Sequence, residues 1–265
     1  MHRRFEKMHG LGNDFAVFDG RDAPLHFDTG TIRCIADRRT GIGFDQLVLI
    51  DPSAVATVRM RIWNPDGGEA ETCGNALRCV ARLLGGEITV ETGGGVVSAR
   101  AGPGGVTVVL PKPRFGLVPG SPGPVDTAAL AARWPCSAAP PLIVDVGNPH
   151  AVFFVDDLDA LDLERFGPGI ERDPLFPNRV NVAFAKMSSG GLDLRMWERG
   201  AGATLACGSG ACAAAVAAIQ AGLVEIMPVQ VTQPGGSLEV EWTPDGPIVM
   251  TGPAVHVFTG RIELP

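Results

Sequence analysis

Lysine is nearly missing from this chain. Lys7, Lys112 and Lys186 are the only three in 265 residues, and none stands in a motif that would carry pyridoxal phosphate, so no cofactor is expected. Other shortages narrow the field. No run of 18 apolar residues occurs, and the stretch from Met1 to Lys7 lacks the apolar core of a secretory signal, so a cytoplasmic protein with no membrane partner is expected. There is no Cys-x-x-Cys pair, and the five histidines are scattered, which argues against dithiol redox exchange and against a metal site. Basic residues are outnumbered, 22 Lys and Arg against 29 Asp and Glu for a formal net charge of −7, which excludes nucleic acid as a natural partner. A small-molecule substrate remains.

What the chain has in plenty is glycine (35) and proline (22), with valine-rich segments between them, the mark of short strands joined by tight turns. Glu87 to Glu91 and Val96 to Arg100 flank Gly93-Gly94-Gly95 as a hairpin would, and Leu238 to Trp242 alternates in polarity like a half-buried strand. Two segments read as helices. Asn75 to Leu84 stops at Gly85-Gly86, and Gly210 to Ala221 stops at Gly222, each with glycine where a helix C-terminus favours it. The second is apolar all round and must be buried on every side. The glycine pairs at Gly41 and Gly43 and at Gly200 and Gly202 lack a nucleotide fingerprint and read as turns.

Both helices begin at a repeated cysteine. Cys73-Gly74-Asn75 is answered by Cys207-Gly208-Ser209, and Arg61-Ile62-Trp63 by Arg195-Met196-Trp197, both at an offset of 134 (207 − 73). Upstream, Gly12-Asn13-Asp14-Phe15-Ala16-Val17-Phe18 matches Gly147-Asn148-Pro149-His150-Ala151-Val152-Phe153 at 135, and the same offset pairs Gln46 with Asn181. A period this long is a duplicated domain rather than a solenoid repeat. The expected architecture is two halves, each a sheet curled around one central helix, with the proline-rich stretch 111–124 as linker. Two matching cysteines, one per half, point to one site built from both.

A thiol at a helix N-terminus meets the positive end of the helix dipole, which favours thiolate, and the adjacent amides bind anions. A substrate carboxylate held by the amides of Gly74, Asn75, Gly208 and Ser209 would place its α-carbon between Cys73 and Cys207. Removing a proton on one face and returning one on the other inverts the centre, with one sulfur as base and the other as acid. The amides would also stabilise charge developing on the carboxylate. Cys34, Cys79, Cys136 and Cys212 read as core thiols without chemistry.

Three motifs now carry a family resemblance: Met8 to Phe15, Asp66 to Asn75, and Glu198 to Gly202 continuing through Ala206 to Cys212. With them the chain resembles the diaminopimelate epimerases. The resemblance implies an isomerase that interconverts LL- and meso-diaminopimelate without a cofactor, a step toward lysine and the bacterial cell wall, in a protein that is typically a homodimer. The implied fold is α/β (α+β): two pseudo-symmetric lobes, each a mainly antiparallel barrel-like sheet around a central helix. One lobe spans 1–116, with 253–265 returning to it, and the other spans 117–252. The resemblance makes Cys73 the proton donor and Cys207 the acceptor for LL to meso, with His150 and Glu198 in supporting catalytic positions. It makes Asn13, Gln46, Asn64, Asn148, Asn181, Glu198 and Arg199 substrate contacts beside the helix-end amides. Arg199 suits a distal carboxylate and Glu198 a distal ammonium. Departures are small: Pro65 and Gly68 beside Asn64, Ser209 where threonine is common, and Ala76 where the first helix often has glycine, which bears on affinity.

Two other readings use the same cleft. A proline or hydroxyproline racemase would share both thiols but usually carries histidine where this chain has Asn75, and a ring substrate would leave Arg199 and Glu198 unpaired. A non-catalytic amino-acid-binding protein would tolerate serine at both cysteines.

Overall fold

Alternating polarity becomes strand wherever one face is covered. From Leu238 to Trp242 the apolar residues are buried while Glu239 and Glu241 are exposed. In the computed structural model, residues 2–70, 73–225 and 227–264 are described; Glu71 and Thr72, in the second family-like motif, lie outside the described residues, as do Met1, Ile226 and Pro265.

The first part of the chain contains β1 (His2–Gly10), β2 (Asn13–Asp19), α1 (Thr29–Ala36), β3 (Gln46–Asp51), β4 (Val58–Trp63), β5 (Glu69–Ala70), α2 (Gly74–Leu84), β6 (Glu87–Thr92), β7 (Gly95–Gly102) and β8 (Gly105–Leu110). It continues with β9 (Arg114–Phe115), α3 (Thr127–Arg133), β10 (Leu142–Asp145), β11 (Pro149–Phe154), α4 (Leu163–Glu171), β12 (Asn181–Ser188) and β13 (Gly191–Glu198). The remainder is β14 (Gly202–Thr204), α5 (Gly208–Gln220), β15 (Val229–Gln233), β16 (Gly236–Trp242), β17 (Ile248–Gly252) and β18 (Val255–Glu263). The chain divides into two compact units, residues 1–109 with 251–265, and residues 110–250.

In the first unit, β1 pairs with both β2 and β18, and antiparallel pairing dominates, with parallel contacts between β2 and β3 and between β4 and β6. Helix α2 packs against β1, β2, β6, β7 and β18, and Ala76, Leu77, Arg78, Cys79, Val80 and Ala81 are all buried. It starts at Cys73, whose backbone is extended, and ends at Gly85 with φ of 75°, the left-handed cap that favours glycine. A second apolar layer gathers Phe5, Phe18, Phe27 and Trp63 over α1.

The second unit repeats this frame around α5, which packs against β10, β11, β12, β13, β15 and β16. Every residue from Gly210 to Ala218 is buried, as an all-round apolar helix demands. Each unit thus shows the expected α+β plan, a mostly antiparallel sheet around one helix. The duplication reaches strand register. Phe15 pairs with Gln46 and His150 with Asn181 in parallel, both at offset 135. Leu47 faces Trp63 and Val182 faces Trp197; Ile62 faces Ala70 and Met196 faces Thr204.

Three helices were not expected from the sequence. α1 and α4 are capped by Asp28 and Asp162, which accept from Thr31 and Arg165 amides, and α3 by Asp126. α4 contains Gly167, Pro168 and Gly169, poor helix formers. Trp197 and Trp134 explain the glycines: a Cβ on Gly167 would lie 2.5 Å from the first ring, and one on Gly169 2.2 Å from the second. The proline-rich stretch 111–124 is more than a linker, because its β9 pairs Arg114 with Asp145 and Phe115 with Val144.

Candidate active site

Cys73 is the residue immediately before α2, where amides of the first turn lack helical partners. Its sulfur lies 3.7 Å from Asn13 Oδ1, the oxygen that also accepts from Asn75 Nδ2 at 3.1 Å. Asn13 Nδ2 donates in turn to Asp45 Oδ2 at 3.1 Å. Asn75 Oδ1 accepts from Arg78 at 2.7 Å, and Arg78, fully buried one turn into the helix, also donates to the Pro253 carbonyl at 3.1 Å. Nearby, Gln46 donates to Asn64 Oδ1 at 2.9 Å. The six expected positions in this unit, Asn13, Gln46, Asn64, Cys73, Gly74 and Asn75, therefore form one group around Cys73 and a second pair, Gln46 at the start of β3 with Asn64 just after β4.

Behind Asn13 stands an ion cluster. Arg38 bridges Asp14 and Asp45, and Lys7 bonds Asp14 and the Gly43 carbonyl. Burial acts to raise the Asp14 carboxyl, but the hydrogen bonds from Arg38 and Lys7 win and hold it down to about 2.

Cys207 is placed in the same way before α5. Its sulfur accepts from the Gly210 amide at 3.4 Å and lies 3.5 Å from Ser209 Oγ, while its own amide donates to Gln233 Oε1 at 2.8 Å. Ser209 Oγ receives Asn148 Nδ2 at 3.3 Å and meets His150 Nε2 at 3.2 Å, and His150 Nε2 also meets Asn148 Oδ1 at 3.1 Å. With Asn148 Oδ1 as acceptor, His150 carries its proton on Nε2 and its unpartnered Nδ1 is a bare lone pair. Burial, with Arg199 adding to it, pushes His150 down to about 3, so the ring is neutral. Ser209, Asn148, His150 and Cys207 thus meet in one cluster.

Glu198 and Arg199 stand at the end of β13. Glu198 accepts from Thr204 Oγ1 at 2.6 Å, and Arg199 donates its amide to Asn181 Oδ1 at 2.9 Å and a guanidinium N–H to the Asn178 carbonyl at 3.2 Å. Glu171, buried, grips both sides of the pair, accepting from Trp197 Nε1 at 2.9 Å and the Gly200 amide at 3.1 Å. Gly200 and Gly202 are the expected turn, with φ of 78° and 82°.

The expectation that a helix start lowers the thiol pKa does not hold for Cys207. Burial raises it first, and the negative charge of Glu198 adds to that; the donors Ser209 and Gly210 pull the other way and lose. Sequence reading missed Asp45, Arg78, Thr204, Glu171 and Gln233, which act on expected residues rather than in any motif. Only Arg78 left a trace: an arginine set among apolar residues of a buried helix needs a polar purpose. Among the described residues, no group of three His, Cys, Asp or Glu side chains is placed to hold a metal, and no helix is long and apolar enough to cross a membrane.

Comparison with solved structures defines the fold. A PhzF-family phenazine biosynthesis protein from Bacillus anthracis matches all of both chains with a TM-score of 0.72 at 18% identity. A hydroxyproline epimerase from Agrobacterium vitis matches 98% of this chain and 92% of its own with a TM-score of 0.67 at 14% identity. At these identities the likeness is one of fold. Sequence goes further: the diaminopimelate epimerase profile matches residues 5–110 and 142–257. Diaminopimelate epimerases of Rhizorhabdus wittichii and Sphingopyxis alaskensis are 53% and 51% identical, over 100% and 99% of this chain and 97% and 98% of theirs. The chain belongs to the diaminopimelate epimerase family and is an isomerase.

Proposed function

We propose that the protein interconverts LL- and meso-diaminopimelate by a cofactor-independent two-base mechanism, in the supply of lysine and of the peptidoglycan precursor. One observation carries this reading: Cys73 and Cys207 each immediately precede a helix held in the same strand register, and the family is that of the epimerases. The duplication supports a single α-carbon served by both thiols, Cys73 returning a proton and Cys207 removing one in the LL to meso direction. The substrate carboxylate is bound by the amides of Gly74, Asn75, Gly208 and Ser209, whose bonds strengthen as charge develops on it.

Neutral His150 serves Cys207 through Ser209, and Glu198 raises the sulfur's proton affinity, which makes it the stronger base once ionised. Asn13, Gln46, Asn64, Asn148, Asn181, Glu198 and Arg199 recognise the rest of the substrate, with exposed Arg199 toward the distal carboxylate. The 14% identity to the hydroxyproline epimerase, against 53% to a diaminopimelate epimerase, disfavours a ring substrate. The same reading makes the protein a cytoplasmic homodimer.

The test is deuterium uptake at the α-carbon of LL- or meso-diaminopimelate in heavy water. Uptake is expected with the unaltered protein and is lost in Cys73→Ala and in Cys207→Ala. Its absence from the unaltered protein, or its survival when both cysteines are replaced, overturns the reading.

A further inference from the structure

An asparagine amide has an oxygen on one side and an NH2 on the other, nearly equal in size, so its neighbours decide which end faces a given atom. Around Asn13 the decision is made at both ends. Arg78 has donors only, so the atom of Asn75 that it touches at 2.7 Å must be Oδ1. Asn75 then turns its NH2 to Asn13, 3.1 Å away, and Asn13 must meet it with Oδ1. At the far end the Asp45 carboxylate has acceptors only, so Asn13 must turn Nδ2 toward it, at 3.1 Å. The chain runs from an obligate donor to an obligate acceptor, and no amide in it is free to flip. Its consequence falls on Cys73, whose sulfur meets the fixed oxygen at 3.7 Å and can only donate to it.

The duplicated residue has the opposite polarity. Asn148, at 13 + 135, turns its NH2 toward Ser209, and the Gly210 amide donates to Cys207. Asn13 thus turns an oxygen to its neighbouring sulfur, whereas Asn148 turns its NH2 to the serine beside Cys207, a sulfur that also meets the Glu198 carboxylate.

We propose that Arg78 and Asp45 are positioning residues that act through Asn75 and Asn13 to hold a carbonyl oxygen on Cys73, keeping this sulfur in its proton-donating thiol form. The proposal rests on the epimerase reading above and says which residues give Cys73 its part in it. Asp45 is itself fixed, by Arg38 at 2.8 Å and the Asp14 amide at 3.0 Å, yet its side chain is 44% exposed, so it can be altered without opening the core.

The experiment follows alkylation of Cys73 by iodoacetamide across pH, by peptide mass spectrometry on the full-length protein, with α-hydrogen exchange of diaminopimelate measured alongside. Asp45→Asn offers one oxygen where two are used, and it is expected to lower the Cys73 midpoint by about one unit, roughly tenfold in alkylation rate below both midpoints. Adding Arg78→Gln lowers it further, whereas loss of a cation by charge alone would raise it. In an Asn13→Leu background neither change moves the midpoint. An unmoved midpoint in Asp45→Asn, or a shift that persists in the Asn13→Leu background, overturns the proposal. If Arg78→Gln does not fold, Asp45→Asn with and without Asn13→Leu decides alone. If the unaltered protein shows no α-hydrogen exchange while the alkylation shifts appear as expected, the epimerase reading fails and the relay stands.

Discussion

Cys73 and Cys207 occupy the same place before their helices, and the charge that bears on Cys207 is that of Glu198. Glu198 reinforces the upward push that burial gives Cys207, so Glu198→Gln is expected to lower the pH midpoint for Cys207 alkylation, measurable by the same peptide mapping. A midpoint that stays put would remove Glu198 from the electrostatics of this thiol. His150 stands where the first half has Phe15, and it behaves as a buried neutral ring. Its pKa is depressed, from 6.5 to about 3, so between those values the unfolded chain takes up a proton that the folded one refuses. Stability therefore falls as pH drops through that window and is unaffected above it. His150→Phe, which copies the other half, should shrink the loss of unfolding free energy between pH 7 and 5 by about 2 kcal/mol, at about 1.4 kcal/mol per pH unit. Urea unfolding at the two pH values checks this. The same variant loses the bonds to Asn148 and Ser209 and is expected to lower kcat at least about tenfold.

At the scale of the element, α2 and α5 were legible because composition and punctuation agreed: a cysteine-glycine start, an apolar body and a glycine stop. α5 is made of alanines because strands surround it, and Ala213, Ala214, Ala215, Ala217 and Ala218 are all fully buried. Ala214→Leu is therefore expected to destabilise by about 2 kcal/mol or more through overpacking, read as a lowered urea midpoint. A neutral outcome would mean the helix has room that its burial denies. α4 was not legible, since Gly167-Pro168-Gly169 argues against a helix by local propensity, and two tryptophan rings from elsewhere in the fold supply the reason for its glycines. Strands were legible where burial alternates, as in β16. β5 and β9, two residues each, had no periodicity to show.

For the molecule as a whole, the last strand completes the first unit. β18 runs beside β1 from His2 opposite Glu263 to His9 opposite Val255, and buried Glu6 takes hydrogen bonds from Thr259 at 2.5 Å and His256 at 2.7 Å. Removing residues 255–265 would strip β1 of one partner and leave that carboxylate short of donors, so limited proteolysis should cut the first unit faster than in the full chain. Equal rates would show that β18 is dispensable. The sequence alone determined the duplication, its offsets of 134 and 135 and the pairing of the two cysteines, because a repeat is a property of residue order and needs no coordinates. Family motifs carried the names of the proposed substrate contacts for the same reason. Only the tertiary structure decided which neighbours those residues have: Asp45 on Asn13, Arg78 on Asn75, Gln233 on the Cys207 amide, Glu171 on either side of Glu198 and Arg199. Hydrogen-bond polarity and burial depend on which groups the folded chain brings together from distant positions, and they gave two identical Cys-Gly starts different neighbours, the Asn13 oxygen beside Cys73 and the Gly210 amide, Ser209 hydroxyl and Glu198 carboxylate beside Cys207.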